Sequence, residues 1–259
     1  MNRYLNPTSL RKATRLLGFL VLNLGLTSTL KTGVVCPALY CYSCPLASFA
    51  CPFGTLQHFI GFAELPLYAG GTIGLYSISL GRTYCGWFCP FGTVQDIVGG
   101  LRKKKLRLKA FPWAKFIVLA IALAAAYATG ETVFCRYCPA GSLFAALPNI
   151  FILNLSPIPV GVWIHLITLA ALLIGVLIIG RVWCRYFCPL GAIFGAFNRI
   201  SGLTMNVNST LCTGCKNCLK SCPMGINDMR AIGSSTDCIR CGKCAEACPT
   251  KAIRFALSA

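Results

Sequence analysis

Charge is what this sequence has least of. Only 12% of its 259 residues are charged, six are Asp or Glu, and two are His. An ordinary soluble domain carries about 25% charged residues, so the shortage excludes a water-soluble globule of this size. With only His58 and His165 available, a bis-histidine haem is set aside as well. Apolar residues fill the gap, making up 56% of the chain, and the mean hydropathy is +0.69. Cysteine is abundant, at 18 residues. Disulfide-rich secreted scaffolds reach that density only in short chains without long apolar runs. Composition therefore leaves a membrane protein whose thiols ligate something. The 24 Lys and Arg residues give a formal charge of +18. A nucleic-acid footprint would cluster on one folded face, whereas these residues alternate along the chain, so no nucleic-acid partner is expected.

Four stretches approach the roughly 20 apolar residues that a bilayer span requires. They run from Leu16 to Val35 (interrupted by Lys31), Phe53 to Leu80, Phe116 to Gly130 (extended back through Pro112 and Trp113), and Pro157 to Gly180. The connections alternate in Lys and Arg content. The N-terminal tail has Arg3, Arg11, Lys12 and Arg15, and the first loop has only Lys31. The second loop has Arg82, Arg102, Lys103, Lys104, Lys105, Arg107 and Lys109, with Lys115 after them. The third has Arg136 alone, and Arg181, Arg185 and Arg199 follow the fourth stretch. By the positive-inside rule this places both termini and the second loop in the cytoplasm. The expected fold is mainly α: a four-transmembrane-helix bundle over residues 1–203 in the cytoplasmic membrane. A cytoplasmic domain follows over 204–259.

That C-terminal domain carries the sharpest motif. Residues 212–223 read CTGCKNCLKSCP and residues 238–249 read CIRCGKCAEACP. Each is C-x2-C-x2-C-x3-C-P, the spacing of a bacterial two-cluster ferredoxin, in which the fourth cysteine of each run ligates the other cluster. One 4Fe–4S cluster is assigned to Cys212, Cys215, Cys218 and Cys248, the other to Cys238, Cys241, Cys244 and Cys222. Zinc ribbons use two C-x2-C pairs instead, and a cytoplasmic location disfavours disulfides.

The other ten cysteines follow a fourfold repeat. Cys-Pro-x-Gly occurs at Cys51, Cys89, Cys138 and Cys188, and the similarity extends to CPFGTLQ against CPFGTVQ and CPAGSLF against CPLGAIF. Proline pushes the preceding residue out of helical conformation and suits the first turn of a helix. Each of these cysteines therefore belongs at a helix N-terminus, beside unsatisfied N–H groups that favour thiolate and an anionic cluster. Cys85, Cys89, Cys184 and Cys188 fall on the cytoplasmic side and supply four ligands for a third cluster. Cys36, Cys41, Cys44, Cys51, Cys135 and Cys138 fall on the opposite side. Repeat analogy selects Cys44, Cys51, Cys135 and Cys138 for a fourth cluster and leaves Cys36 and Cys41. A disulfide or redox-active dithiol among these six is an equal alternative. Four clusters would contribute about −8 in charge and reduce the formal +18 to about +10.

CGWFCP at 85–90, CRYFCP at 184–189 and the two ferredoxin motifs together resemble the NapH-type membrane polyferredoxins. These are related to the membrane core of the NosR regulator and to cytochrome-oxidase assembly iron–sulfur proteins. The resemblance implies a four-helix, quinol dehydrogenase-like electron carrier with a cytoplasmic ferredoxin domain. The stretch CPALYCYSCPLASFACP at 36–52 departs from that pattern and points to an extra outer redox site. His58, Glu64 and His165, ionisable groups within expected spans, are candidates for a quinone site. The expected function is membrane-embedded electron transfer between quinol, or a redox partner on the outer face, and cytoplasmic ferredoxin clusters. Two rivals stand beside it: a reductase of metal ions or disulfides acting through the outer cysteines, and a redox assembly or sensing subunit.

Overall fold

The computed structural model describes residues 7–25, 31–102, 105–106, 111–152 and 159–257. Arg3, Lys103, Lys104, Arg107 and Lys109, counted above for orientation, lie outside the described residues, as do 26–30 of the first expected span and 157–158 of the fourth.

Proline sets where many of the helices begin. The chain forms α1 (Pro7–Leu22), α2 (Pro52–Gly61), α3 (Leu67–Ser79), α4 (Thr83–Trp87), α5 (Pro90–Gly100), α6 (Ala114–Thr129) and α7 (Val133–Tyr137). Next come α8 (Pro139–Ile152), which contains a π turn at Ser142–Ala146, and α9 (Val160–Ile179). A second π turn (Trp183–Phe187) leads into α10 (Pro189–Ala196). Helix α6 packs on α2 and α10, while α9 packs on α5 and α8. In the C-terminal domain, β1 (Leu203–Val207) pairs antiparallel with β2 (Ile253–Leu257), Met205 lying opposite Phe255. Short helices α11 (Asn217–Lys220) and α12 (Lys243–Glu246) lie between these strands.

The fold is mainly helical, and the four expected spans are matched in part. Among the described residues one helix, α9, is long and apolar enough to cross a membrane, with 20 residues at a mean hydropathy of 2.7. It buries Leu169, Leu172 and Val176 and exposes Val160, Ile167 and Ile174. The second expected span is two helices. Ala63 takes a left-handed φ of 54°, costly for a residue with a Cβ, and Pro66 follows three residues later, where it cannot continue the hydrogen-bond ladder. Helix α1 ends at Leu22, well short of Val35. Helix α6 has 16 residues, about 24 Å at 1.5 Å per residue, which falls short of a hydrocarbon core of about 30 Å.

The C-terminal domain docks on α4 and α10 through backbone contact. A Cβ on Gly86 would come within 2.3 Å of the Ile239 carbonyl oxygen, and one on Gly195 within 2.4 Å of the Thr236 carbonyl oxygen. Asn198 donates from Nδ2 to the carbonyls of Ser235 (2.7 Å) and Cys238 (2.8 Å). The fully buried Arg240 donates to the Gly233 carbonyl and to Ser201 Oγ, and the Trp87 indole donates back to the Arg240 carbonyl at 2.9 Å. Lys115, also fully buried, meets Asp237 Oδ1 at 2.5 Å and the Thr236 carbonyl at 2.7 Å.

Candidate metal centres

The four Cys-Pro turns have nearly the same geometry. Cys51, Cys89, Cys138 and Cys188 each occupy a helix N-cap, with φ between −64° and −75° and ψ between 110° and 123°. Pro52, Pro90, Pro139 and Pro189 begin the helices that follow. The motif's glycine then has a visible task. In the fourth repeat the Gly191 N–H donates to the Cys188 sulfur at 3.2 Å. A Cβ on Gly191 would press to 3.5 Å from the Cys188 sulfur. Helix N-terminal N–H groups and the dipole favour negative charge at each sulfur.

Three cavities are each lined by four of the cysteines grouped from spacing. Cys85, Cys89, Cys184 and Cys188 line one. Cys222, Cys238, Cys241 and Cys244 line another. Cys212, Cys215, Cys218 and Cys248 line the third. Among the described residues, no three His, Cys, Asp or Glu side chains converge as a single metal ion would require. The thiols surround a volume, which suits a multi-iron cluster better than tetrahedral zinc.

The inner cavity also carries polar atoms that fit an anionic, sulfur-rich group. Arg82 Nε and Trp183 Nε1 are buried donors without an acceptor, and both residues line the cavity. Gln95 donates to the Cys184 sulfur at 3.2 Å. Burial pushes the Cys85, Cys89 and Cys188 thiols up, Cys89 to about 12, while the Arg82 guanidinium pulls Cys85 and Cys188 back towards thiolate. Buried thiols held this way need a cation among them to ionise. A 4Fe–4S cluster supplies iron to the thiolates and accepts hydrogen bonds on its sulfides.

The second group of Cys-Pro turns is less regular. Cys51 and Cys135 flank Gly54, their sulfurs 3.9 and 3.7 Å from where its Cβ would stand. Gln57 donates to the Cys135 sulfur at 3.7 Å, matching Gln95 in the neighbouring repeat. The next thiol differs from expectation. Cys41 lies 3.7 Å from the Cβ position of Gly141 and acts electrostatically on both Cys135 and Cys138. Cys44 instead accepts from the Tyr40 hydroxyl at 3.7 Å and from the Leu46 N–H at 3.4 Å. Cys36 acts on Cys51 and donates to the Ala38 carbonyl. No disulfide joins any of these cysteines.

The two groups of Cys-Pro turns are neighbours. Pro37, Ala38 and Leu39, lying between Cys36 and Cys41, form part of the inner cavity wall. The Leu39 backbone meets the Cys89 thiol two residues from Cys41, a chain distance of at most about 7 Å. Phe134 and Trp183, each just before a cysteine, lie 5.9 Å apart between the groups. Contact then continues outward. Cys85 and Cys184 share a buried cluster with Met224, Ile239, Cys241 and Cys222. Cys244 shares another with Cys218 and Cys248.

The structure does not assemble the quinone trio. His58 is exposed on α2 with its ring against Phe62, and Glu64 is exposed in the turn after that helix. His165 pairs through Nδ1 with Ser142 Oγ at 3.1 Å, beside the Cys138 turn. Among the described residues no hydrogen bond joins any two of them. Sequence reasoning missed Arg82, Gln57 and Gln95. Both glutamines stand in the quoted repeat, so their recurrence was the available signal.

Residues 48–67, 62–109, 111–151 and 161–207 each match the family model described as a 4Fe-4S binding domain. Every matched segment contains one Cys-Pro-x-Gly turn. The chain belongs to the 4Fe-4S binding domain family. Residues 204–249 of this family member also match the model of a 4Fe-4S dicluster domain. No curated protein and no solved structure matches the chain. It is an iron–sulfur protein, and its domains are those of electron transfer.

Proposed function

We propose that this chain is a membrane-embedded electron carrier with four 4Fe–4S centres in series. An outer centre is held by Cys51, Cys135, Cys138 and Cys41, and an inner centre by Cys85, Cys89, Cys184 and Cys188. A proximal ferredoxin centre is held by Cys222, Cys238, Cys241 and Cys244, and a distal one by Cys212, Cys215, Cys218 and Cys248. One observation carries the reading: each cysteine group packs against the next, from the 36–51 loop to the exposed Cys215. When bound, each cluster supplies a one-electron carrier whose potential responds to sulfur hydrogen bonds, charge and exposure.

The chain's own residues do the rest. The Cys-Pro N-caps aim N–H groups at the thiolates, and Phe91, Phe134, Phe144 and Trp183 pack between the two membrane groups and exclude water. Helix α9 turns its apolar face to lipid, with the cytoplasmic membrane as location and both termini inside. Cys215 is exposed beside Lys216, where a redox protein partner would meet the distal centre. The thiol-reductase rival is opposed by burial, since Cys36 is 3% exposed and burial pushes its thiol up to about 12. Buried, raised thiols are inert.

Anaerobic purification with iron and sulfide quantification tests the reading. Sixteen irons per chain are expected, and eight would confine clusters to the ferredoxin domain and refute both membrane centres.

A further inference from the structure

The two membrane centres stand on repeats of one motif, so their surroundings compare position by position. Gln57 and Gln95 match, each donating to a cysteine of the partner repeat. The residue before that cysteine does not match: Phe134 at the outer centre, Trp183 at the inner. Trp183 Nε1 is a buried donor without an acceptor at the inner cavity, and phenylalanine has no such donor. The residue after that cysteine is arginine in both repeats, but its surroundings differ. Arg185 is buried, whereas Arg136 is exposed and paired with Glu131.

Cations show the same asymmetry. Arg82 is fully buried, donates to the Cys184 carbonyl at 2.7 Å and the Thr236 carbonyl at 2.6 Å, and keeps Nε without an acceptor. Asp237 stands 3.7 Å from its Nη1 and so holds the guanidinium from the ferredoxin side. Beside the outer cysteines, Arg136 turns instead to Glu131 at the surface.

We propose that Arg82 and Trp183 donate their buried N–H groups to the inner centre and hold its reduction potential above that of the outer centre, so that electrons move downhill from outer to inner. This rests on the four-centre reading. Adding one electron makes a cluster one unit more negative, and both a donor to its sulfur and a nearby guanidinium favour that state. A one-electron exchange between the centres balances without any further reactant. Around the outer thiols the described residues place Gln57, Ser43 and Thr132 as side-chain donors, all of them neutral, which leaves the reduced state less stabilised.

The test is an EPR-monitored redox titration of the full iron-loaded chain in lipid nanodiscs. Cys89→Ser and Cys138→Ser assign the inner and outer signals. The inner midpoint is expected above the outer one. Trp183→Phe copies the residue found at the matched outer position and keeps an aromatic ring among Phe91, Phe134 and Phe187. It is expected to lower the inner midpoint by the equivalent of about a tenfold change in electron partition, 59 mV for one electron, with the outer midpoint unmoved. Arg82→Lys, which keeps the charge but loses Nε–H, should shift it in the same direction. An inner midpoint at or below the outer one, or unmoved in Trp183→Phe, overturns the proposal while sixteen irons uphold the four-centre reading. Eight irons overturn both.

Discussion

Replacing Asp96 with Asn removes the one negative charge from among three guanidinium groups. Arg181 donates to both Asp96 oxygens at 2.7 and 2.8 Å, Arg11 to Oδ2 at 2.8 Å, and Arg15 to the same oxygen at 2.5 Å. The side chains are 1%, 7% and 13% exposed for Arg181, Arg11 and Arg15, and 12% for Asp96. An amide offers one acceptor oxygen, so it cannot replace both. Breaking a buried pair by removing one partner costs about 3–5 kcal/mol, or about 6–20 °C in midpoint for a chain near this size. Helix α1 should come loose first, because Arg11 and Arg15 also donate to the Gly86 carbonyl and its outward face is apolar. Burial alone would raise the Asp96 carboxyl, but Arg181 and then Arg15 outweigh it and hold it far below its ordinary value of 3.8. A folded value below the unfolded one means the stabilisation is fully present above about pH 4 and fades only under stronger acid. The gap between wild type and Asp96→Asn should therefore be equal at pH 6 and pH 8. Thermal loss of cluster absorbance in nanodiscs, with proteolysis of the N-terminus, measures it. A midpoint within 2 °C of wild type would show a solvated, replaceable carboxylate and refute the reasoning.

Three further outcomes follow from the same contacts. Gly86→Ala forces a Cβ against the Ile239 carbonyl at 2.3 Å, an overpacking cost of about 1–3 kcal/mol. The ferredoxin domain should keep its iron but lose magnetic coupling to the inner centre, and unchanged coupling in EPR would count against the docking. Cys41→Ser should lower iron from sixteen to twelve per chain while Cys44→Ser keeps sixteen, and iron analysis showing the reverse would return Cys44 to the ligand set. Oxidative removal of iron should unfold 204–257, because cysteines line much of what little core that domain has. Circular dichroism retaining the β1–β2 pairing after complete iron loss would refute this.

What was legible in the sequence was local, and what was not depended on where side chains ended up. A cysteine before proline has few conformations open to it, so four Cys-Pro turns could be read as helix starts without coordinates. The paired ferredoxin runs were equally direct, since ligand spacing is itself the signal. Helix continuity was not legible, because hydropathy measures composition and not continuity. The stretch from Phe53 to Leu80 is predominantly apolar and has no Lys or Arg, yet breaks at Ala63 and Pro66. The packing of the 36–51 loop was not legible either, and Ala38, Leu39 and Tyr40 are core residues.

The same blindness affected the charges. Arg11, Arg82, Lys115, Arg181 and Arg185 counted as markers of a cytoplasmic face, and these five and Arg240 are all buried. Five of them bond to Asp96, Asp237 or carbonyls around the inner centre and the domain junction. A basic residue at the end of an apolar stretch reads identically whether water or a carboxylate solvates it. Burying a cation is costly unless something compensates. Six buried cations against Asp96 and Asp237 leave an excess of positive charge beside the cysteine groups. Anionic iron–sulfur centres would balance that excess, so part of the +18 belongs to the centres and not to the membrane surface.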